Sequence, residues 1–171
     1  EEQKKKYLPK IASGEFIGTF ALSETNGTPR SSNIKASVND GKLSGEKTPV
    51  NDGEVADIII VAANSDNNAN HNSLSLYLVE KDDPGLSKSS LETLDPTRPA
   101  CSLNFSNVNA ELIGNRGEGW SMIEDIFNRA AVLFSFEQVG GAQVSLDDAK
   151  KYSLERFAFG RQIGSFQALK H

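Results

Sequence analysis

The spacing of apolar residues changes once, near Gly114, and that change limits the chain to few folds. Before it, short alternating or β-branched runs are separated by turn residues. After it, Trp120, Ile123, Ile126 and Phe127 recur at helical spacing, and Val132, Leu133, Phe136, Val139, Leu146, Ala149 and Tyr152 continue the pattern. Short strands with turn signals between them predict an antiparallel sandwich or barrel. The later period predicts helix. The fold class is therefore α+β, with the sheet first and the helices after it.

The opening strand, Ile17–Glu24, is expected to deliver polar groups to one place before the chain breaks at Thr25-Asn-Gly-Thr-Pro29. Ile11–Glu15 reads as its turn-like lead-in. Asn33–Val38 reads as a short strand, and Asn39-Asp-Gly-Lys42 as a hairpin turn, because Asp-Gly tolerates the positive φ that tight hairpins need. Leu43–Val50 returns, and Asn51-Asp-Gly53 turns again. Ala56–Ala63 is apolar almost throughout and predicts a central strand. Asn64–Ser73 predicts a solvated loop, and Leu74–Glu80 a strand with Leu74, Leu76 and Leu78 on one face. Asp82-Asp-Pro-Gly85 turns once more. Leu86–Leu94 and Ala100–Phe105, divided by Asp95-Pro96, are further strands, and Val108–Ile113 closes the set. Gly140-Gly-Ala142 interrupts the helical pattern at a cost of about 1 kcal/mol per glycine; close approach of a second helix is the expected compensation. Phe157–Ser165 reads as a loop before a final helix. Glu1–Leu8 reads as the tail of a polar helix stopped by Pro9. Both ends suggest a piece of a longer protein.

The net charge is −5, and nucleic-acid binding is not expected without a basic face. Lys4-Lys-Lys6 is a short run beside Glu1-Glu2 and reads as a solvated helix end. Cys101 is the only cysteine, which excludes an intrachain disulfide and a cysteine zinc site and suits a reducing compartment. In its apolar strand it reads as a buried structural thiol. The longest apolar run, near Ile58–Ala63, is too short for a membrane-spanning helix, and no secretory signal is visible at the start. His71 and His171 have no ligand partners at useful spacing, so no metal site is expected. No nucleophile elbow or Walker loop occurs.

Two stretches carry candidate chemistry. Phe20–Ser23 alternates faces and offers Ser23 and backbone amides to a polar ligand; it also reads as an ordinary strand end. Arg156-Phe-Ala-Phe-Gly-Arg161, with Gln162 and Gln167, suits a phosphate and a stacked ring; it also reads as a basic helix end complementing the helix dipole. An ordered set joins them: Lys5-Lys-Tyr-Leu-Pro9, Ser13-Gly-Glu15, Gly18–Glu24, Leu43-Ser-Gly-Glu-Lys47, Gly117-Glu-Gly-Trp120, Tyr152–Arg156 and Phe159–Gln167. Together these motifs resemble the acyl-CoA dehydrogenase family, over essentially the whole chain.

The resemblance implies the end of an N-terminal helical domain or its linker at residues 1–11, a β-barrel middle domain at 12–116, and part of a C-terminal helical domain at 117–171. The last would supply long antiparallel helices of a truncated four-helix bundle. It implies FAD bound between barrel and C-terminal helices. The implied reaction converts an acyl-CoA thioester to the 2,3-enoyl-CoA: a glutamate takes the α-proton while the β-hydrogen leaves as hydride to the flavin. Electrons then pass to an electron-transfer flavoprotein. Phe20, Leu22 and Ser23 would meet the flavin ring, with Val50 and Asn51 beside it. Arg156, Phe159 and Gln167 would hold the diphosphate and adenosine end, reaching the neighbouring subunit's FAD in a homodimer or homotetramer. Pro29 and Arg129 fall at or beside substrate-contact positions. The bacterial cytoplasm or the mitochondrial matrix is the implied location.

Several positions depart from the family pattern. Ser23 stands for a threonine, Pro49 for a flavin-stacking aromatic, and Pro29 and Arg30 for a serine and an aspartate. Ala130 and Ala131 stand where some relatives carry the catalytic glutamate and an arginine, and Glu137 does not align with that base. The other branch places the base beyond His171. These departures motivate a second reading, a non-catalytic subunit that supports a homologous partner chain. A flavin oxidase of the same fold is a third.

Overall fold

A computed structural model of the chain describes residues 1–25, 27–65, 74–95 and 97–171. It forms two compact units, Glu1–Ile123 and Glu124–His171.

The first unit opens with helix α1 (Glu2–Ala12) and contains β1 (Gly18–Ala21), β2 (Ser37–Asn39), β3 (Lys42–Asn51), β4 (Ile58–Ser65), β5 (Leu74–Glu80), β6 (Leu86–Leu91), β7 (Ala100–Asn109) and β8 (Glu111–Ile113). The sheet order is β6-β7-β3-β2-β4-β5-β8, with β1 also paired to β4. Strand β4 is the hub. It runs parallel to β1, with Gly18 opposite Ile58, and parallel to β2, with Ser37 opposite Asn64. It runs antiparallel to β5, with Ile60 opposite Leu78. The remaining pairings in this sheet are antiparallel. The sheet is therefore mixed where the sequence predicted antiparallel pairing alone. Alternation fixes which face a side chain takes; it says nothing of strand direction.

β4 is apolar throughout because both its faces are covered. Ile59, Val61 and Ala63 join Tyr77, Val79, Leu103, Phe105 and Val108 in the main core. On the opposite face, Ala62 packs with Leu22, Ile34, Leu74, Leu76 and Ile123, and Ile58 packs with Tyr7 and Leu78. Leu74, Leu76 and Leu78 thus share one face, as their spacing predicts. The Asp-Gly turn also forms as predicted, with Asp40 at φ 49° and Gly41 at φ 74° between paired Asn39 and Lys42.

Some boundaries move. Helix α1 does not stop at Pro9 but runs through it to Ala12, absorbing the start of the expected lead-in. A proline in a helix interior costs about 3 kcal/mol. Here Ser13 N–H still donates to the Pro9 carbonyl at 3.0 Å, and tertiary contacts hold the helix down. Tyr7 is buried and donates to Glu80 at 2.8 Å, beside the Lys6–Glu80 ion pair at 2.9 Å. The expected strand Asn33–Val38 is instead a 3-10 turn at Ser31–Asn33 followed by β2. Strand β6 ends at Leu91, leaving Leu94 fully exposed. Strand β7 runs on to Asn109, so β8 is only the end of the expected closing strand. The expected loop at 64–73 begins later, since β4 includes Asn64 and Ser65; its remainder, with His71, lies outside the described residues.

The helix α2 (Gly119–Glu155) is continuous for 37 residues. Its first residues, to Ile123, belong to the first unit. In the second unit it is followed by β9 (Phe157–Ala158) and β10 (Arg161–Gln162), which form a hairpin where a loop was expected, and by α3 (Gln167–Lys170). A Cβ built on Gly140 or Gly141 meets nothing within 4 Å, so among the described residues no close neighbour accounts for these glycines. No helix among the described residues is long and apolar enough to cross a membrane.

Candidate functional site

The exit of β1 lies beside the end of β3. Thr19 Oγ1 donates to the Asn51 carbonyl at 2.6 Å, and the Thr48 N–H donates to the Ser23 carbonyl at 2.8 Å. These two bonds bring Phe20, Leu22, Ser23, Val50 and Asn51 into one region of the first unit. Phe20 is half-buried and packs on the cluster containing Leu22 and Ile123. Ser23 is half-buried, and its hydroxyl makes no hydrogen bond among the described residues. Asn51 and Pro49 are exposed. The side chains of Leu22 and Val50 are buried in the two cores at 5% and 0% exposure.

A buried ion pair completes this region. Lys47 is 0% exposed; its Nζ lies 2.7 Å from Glu24 Oε1 and donates to the Leu22 carbonyl at 3.1 Å. Glu24 also accepts the N–H groups of Lys35 at 2.7 Å and Ala36 at 3.0 Å. Burial pushes the Lys47 ammonium below its usual range, and the Glu24 carboxylate beside it pulls the other way. The sequence places Lys47 in one of the ordered motifs but gives it no role of its own, because a lysine in a strand ordinarily faces water. A signal was available: counting by two from Leu43 through Gly45 places residue 47 on the inward face.

The motif Gly117-Glu-Gly-Trp120 places the start of α2. A Cβ on Gly119 would lie 2.7 Å from Ser75 Cα and 2.8 Å from the Leu74 carbonyl oxygen. The Gly117 N–H donates to Ser75 Oγ at 2.9 Å, and Ser65 Oγ bonds both Ser75 Oγ (2.7 Å) and Tyr77 Oη (2.6 Å). Only glycine at position 119 lets the helix start this close to β5.

The remaining candidates lie elsewhere. Arg156, Phe159 and Gln167 are all exposed, in the second unit. The Arg156 N–H donates to the Tyr152 carbonyl and its own carbonyl accepts from Ile163, both at 2.8 Å, which leaves the guanidinium free of partners among the described residues. Phe159 sits at the β9–β10 turn with φ 55° and is 96% exposed. Its ring meets Phe166 edge-on at 6.3 Å, and the Arg161 guanidinium lies 3.9 Å over Phe166. Arg129 is exposed and paired with Asp125 at 2.9 Å, whereas Pro29 is half-buried in the other unit. Cys101 is fully buried, and desolvation pushes its thiol pKa up. A groove of about 690 Å³ is lined by residues that include Lys6, Lys42, Glu80, Asp83 and Glu111 and by none of the candidate positions.

Residues 19–108 match the acyl-CoA dehydrogenase middle domain and residues 117–171 the acyl-CoA dehydrogenase C-terminal domain. The chain belongs to the acyl-CoA dehydrogenase family. It is 34% identical to glutaryl-CoA dehydrogenase of Desulfococcus multivorans, over 98% of this chain and 45% of that protein. Among solved structures it resembles an acyl-CoA dehydrogenase from Geobacillus kaustophilus, with TM-score 0.91 and 29% identity, covering 99% of this chain and 48% of that one. It also resembles PigA with FAD and proline, with TM-score 0.89 and 27% identity over 99% and 47% of the two chains. The chain thus spans under half the length of these relatives.

Proposed function

We propose that the chain is the flavin-binding portion of an FAD-dependent acyl-CoA dehydrogenase that converts an acyl-CoA thioester to its 2,3-enoyl product. Support comes from the juxtaposition of Phe20 on β1 and Ser23 just past its end with Asn51 at the end of β3, tied by the bonds from the Thr19 hydroxyl to the Asn51 carbonyl and from the Thr48 N–H to the Ser23 carbonyl, in a chain of this family. The donor set suits FAD. The Ser23 hydroxyl has no partner among the described residues, Asn51 is exposed, and Arg156 offers an unpaired guanidinium suited to a diphosphate. Bound FAD supplies the two-electron acceptor. The chain's own groups orient it: Ser23 and Asn51 donate to the polar edge of the ring, Phe20 packs near it, and Arg156 with Gln167 holds the diphosphate and adenosine end of a neighbouring subunit's cofactor. An electron-transfer flavoprotein is the proposed electron acceptor, a homodimer or homotetramer the proposed assembly, and the base is placed beyond His171.

One observation favours a second reading. Pro49 is exposed where the family pattern puts a stacking aromatic; a proline covers little of a flavin face. A subunit that binds flavin weakly and supports a homologous partner chain fits that substitution.

The visible spectrum of the full-length protein separates the two. The dehydrogenase reading expects a flavin band that bleaches anaerobically on adding an acyl-CoA. A colourless protein that co-purifies with a homologue favours the second reading. Arg156→Ala is expected to lower bound FAD at least tenfold; unchanged flavin content sinks the diphosphate role.

A further inference from the structure

We propose that Glu24 and Lys47 are positioning residues for the flavin contact made by Ser23. The inference rests on the flavin reading above and concerns how the contact is held. Ser23 sits between two anchored neighbours. Lys47 Nζ donates to the carbonyl of Leu22 on one side and to the carboxylate of Glu24 on the other, at 3.1 and 2.7 Å. The next residue of β3, Thr48, donates its N–H to the Ser23 carbonyl itself at 2.8 Å. Three consecutive residues are thereby fixed by two consecutive residues of the adjoining strand. The carboxylate is fixed in turn by the N–H groups of Lys35 and Ala36.

The choice of groups points to geometry rather than stability. Burying a lysine costs desolvation that a well-packed apolar side chain avoids, and a buried ion pair is often no more stabilising than its hydrophobic replacement. An apolar residue at position 47 would fill the space without holding two acceptors on either side of Ser23. An ammonium, with three donors on one atom, can do so. Pre-setting the strand exit removes an ordering cost from ligand binding.

The test is a double-mutant cycle in the full-length protein, reading FAD dissociation constants by flavin-fluorescence titration of the apoprotein. In the unsubstituted background, Ser23→Ala is expected to weaken FAD about fivefold, the worth of one hydrogen bond. In the Glu24→Gln/Lys47→Met background, Ser23→Ala should cost nothing further, and the bound flavin spectrum should already match that of the Ser23→Ala protein. An equal fivefold loss in both backgrounds overturns the proposal and leaves the pair merely structural. Amide exchange of the unsubstituted apoprotein gives an answer even where the double variant does not fold. The Thr48 amide should be protected before FAD is added; protection appearing only with FAD overturns the proposal. If the unsubstituted protein binds no FAD, the flavin reading fails and takes this role with it, while a protected Thr48 amide would still report the clamp.

Discussion

A single carboxylate fixes where β1 begins. Asp57 Oδ2 accepts the Ile17 N–H at 2.9 Å, and Asp57 Oδ1 bonds Lys81 Nζ at 2.5 Å. The bond from the Ile17 N–H, with Lys81 next, holds the carboxyl below the usual aspartate range. A depressed carboxyl means that the unfolded chain binds more protons than the folded one just below the ordinary pKa. The stabilisation is therefore fully present above about pH 4 and is lost as pH falls through the folded value. Glu80 behaves likewise, held down by Lys6 first and then by Tyr7. Asp57→Asn should lower stability at pH 7 and flatten the acid limb of a stability–pH curve measured by denaturant titration. An acid limb as steep as that of the unsubstituted chain would show that Asp57 does not carry this linkage. Such residues were poorly legible in the sequence. Asp57 and Lys47 are charges in turn or strand contexts that ordinarily face water, and only the fold supplies Ile17 or Glu24 as partner. Phe20 and Ser23 stand out as candidates in the sequence because their motif and alternation need no knowledge of the partner strand, and the structure sets them near Asn51.

Elements were more legible than residues, and their errors have local causes. β4 and β5 stood out because burial on one or both faces imposes a visible pattern. The β2–β3 turn stood out because its geometry demands Asp-Gly. The continuation of α1 through Pro9 was hidden because Ile58, Leu78 and Glu80 secure it from distant positions through Tyr7. The β9–β10 hairpin was hidden because two-residue strands carry no period. The glycines of α2 divide by environment. Gly119 lies against the backbone of β5, so Gly119→Ala should destabilise the protein by about 1–3 kcal/mol, the usual cost of overpacking. Gly140 stands in open space, so Gly140→Ala in the 171-residue chain should stabilise by about 0.5–1 kcal/mol through helix propensity alone. Urea unfolding of the two variants checks both signs. A destabilising Gly140→Ala would mean that something packs closely there after all.

In the second unit, α2 has no single apolar stripe. Val132, Leu133 and Phe134 are consecutive, so their side chains point about 100° apart, and all are more than half exposed at 58, 71 and 56%. Phe136, Val139, Val144 and Leu146 add 75, 68, 61 and 63%. A helix that is apolar over most of its circumference belongs in the middle of a bundle, with neighbours on more than one side. Apolar surface on this scale marks an interaction site or an aggregation liability. The 171-residue chain should therefore self-associate, with an apparent mass that rises with concentration in sedimentation velocity. Leu133→Glu with Phe136→Glu should shift it toward monomer while leaving the circular dichroism of the sheet unchanged, since neither residue belongs to the first unit's cores. A monodisperse monomer before substitution would show that this surface tolerates water and needs no further helices. The same experiment bears on the cofactor. Arg156, Phe159 and Gln167 follow α2 directly, so a helix seeking neighbours is what would carry the proposed diphosphate-binding segment into a subunit interface. Association that is lost in the Leu133→Glu/Phe136→Glu variant of the full-length protein should take bound FAD with it, and FAD retained by the resulting monomer would place Arg156 outside any shared site.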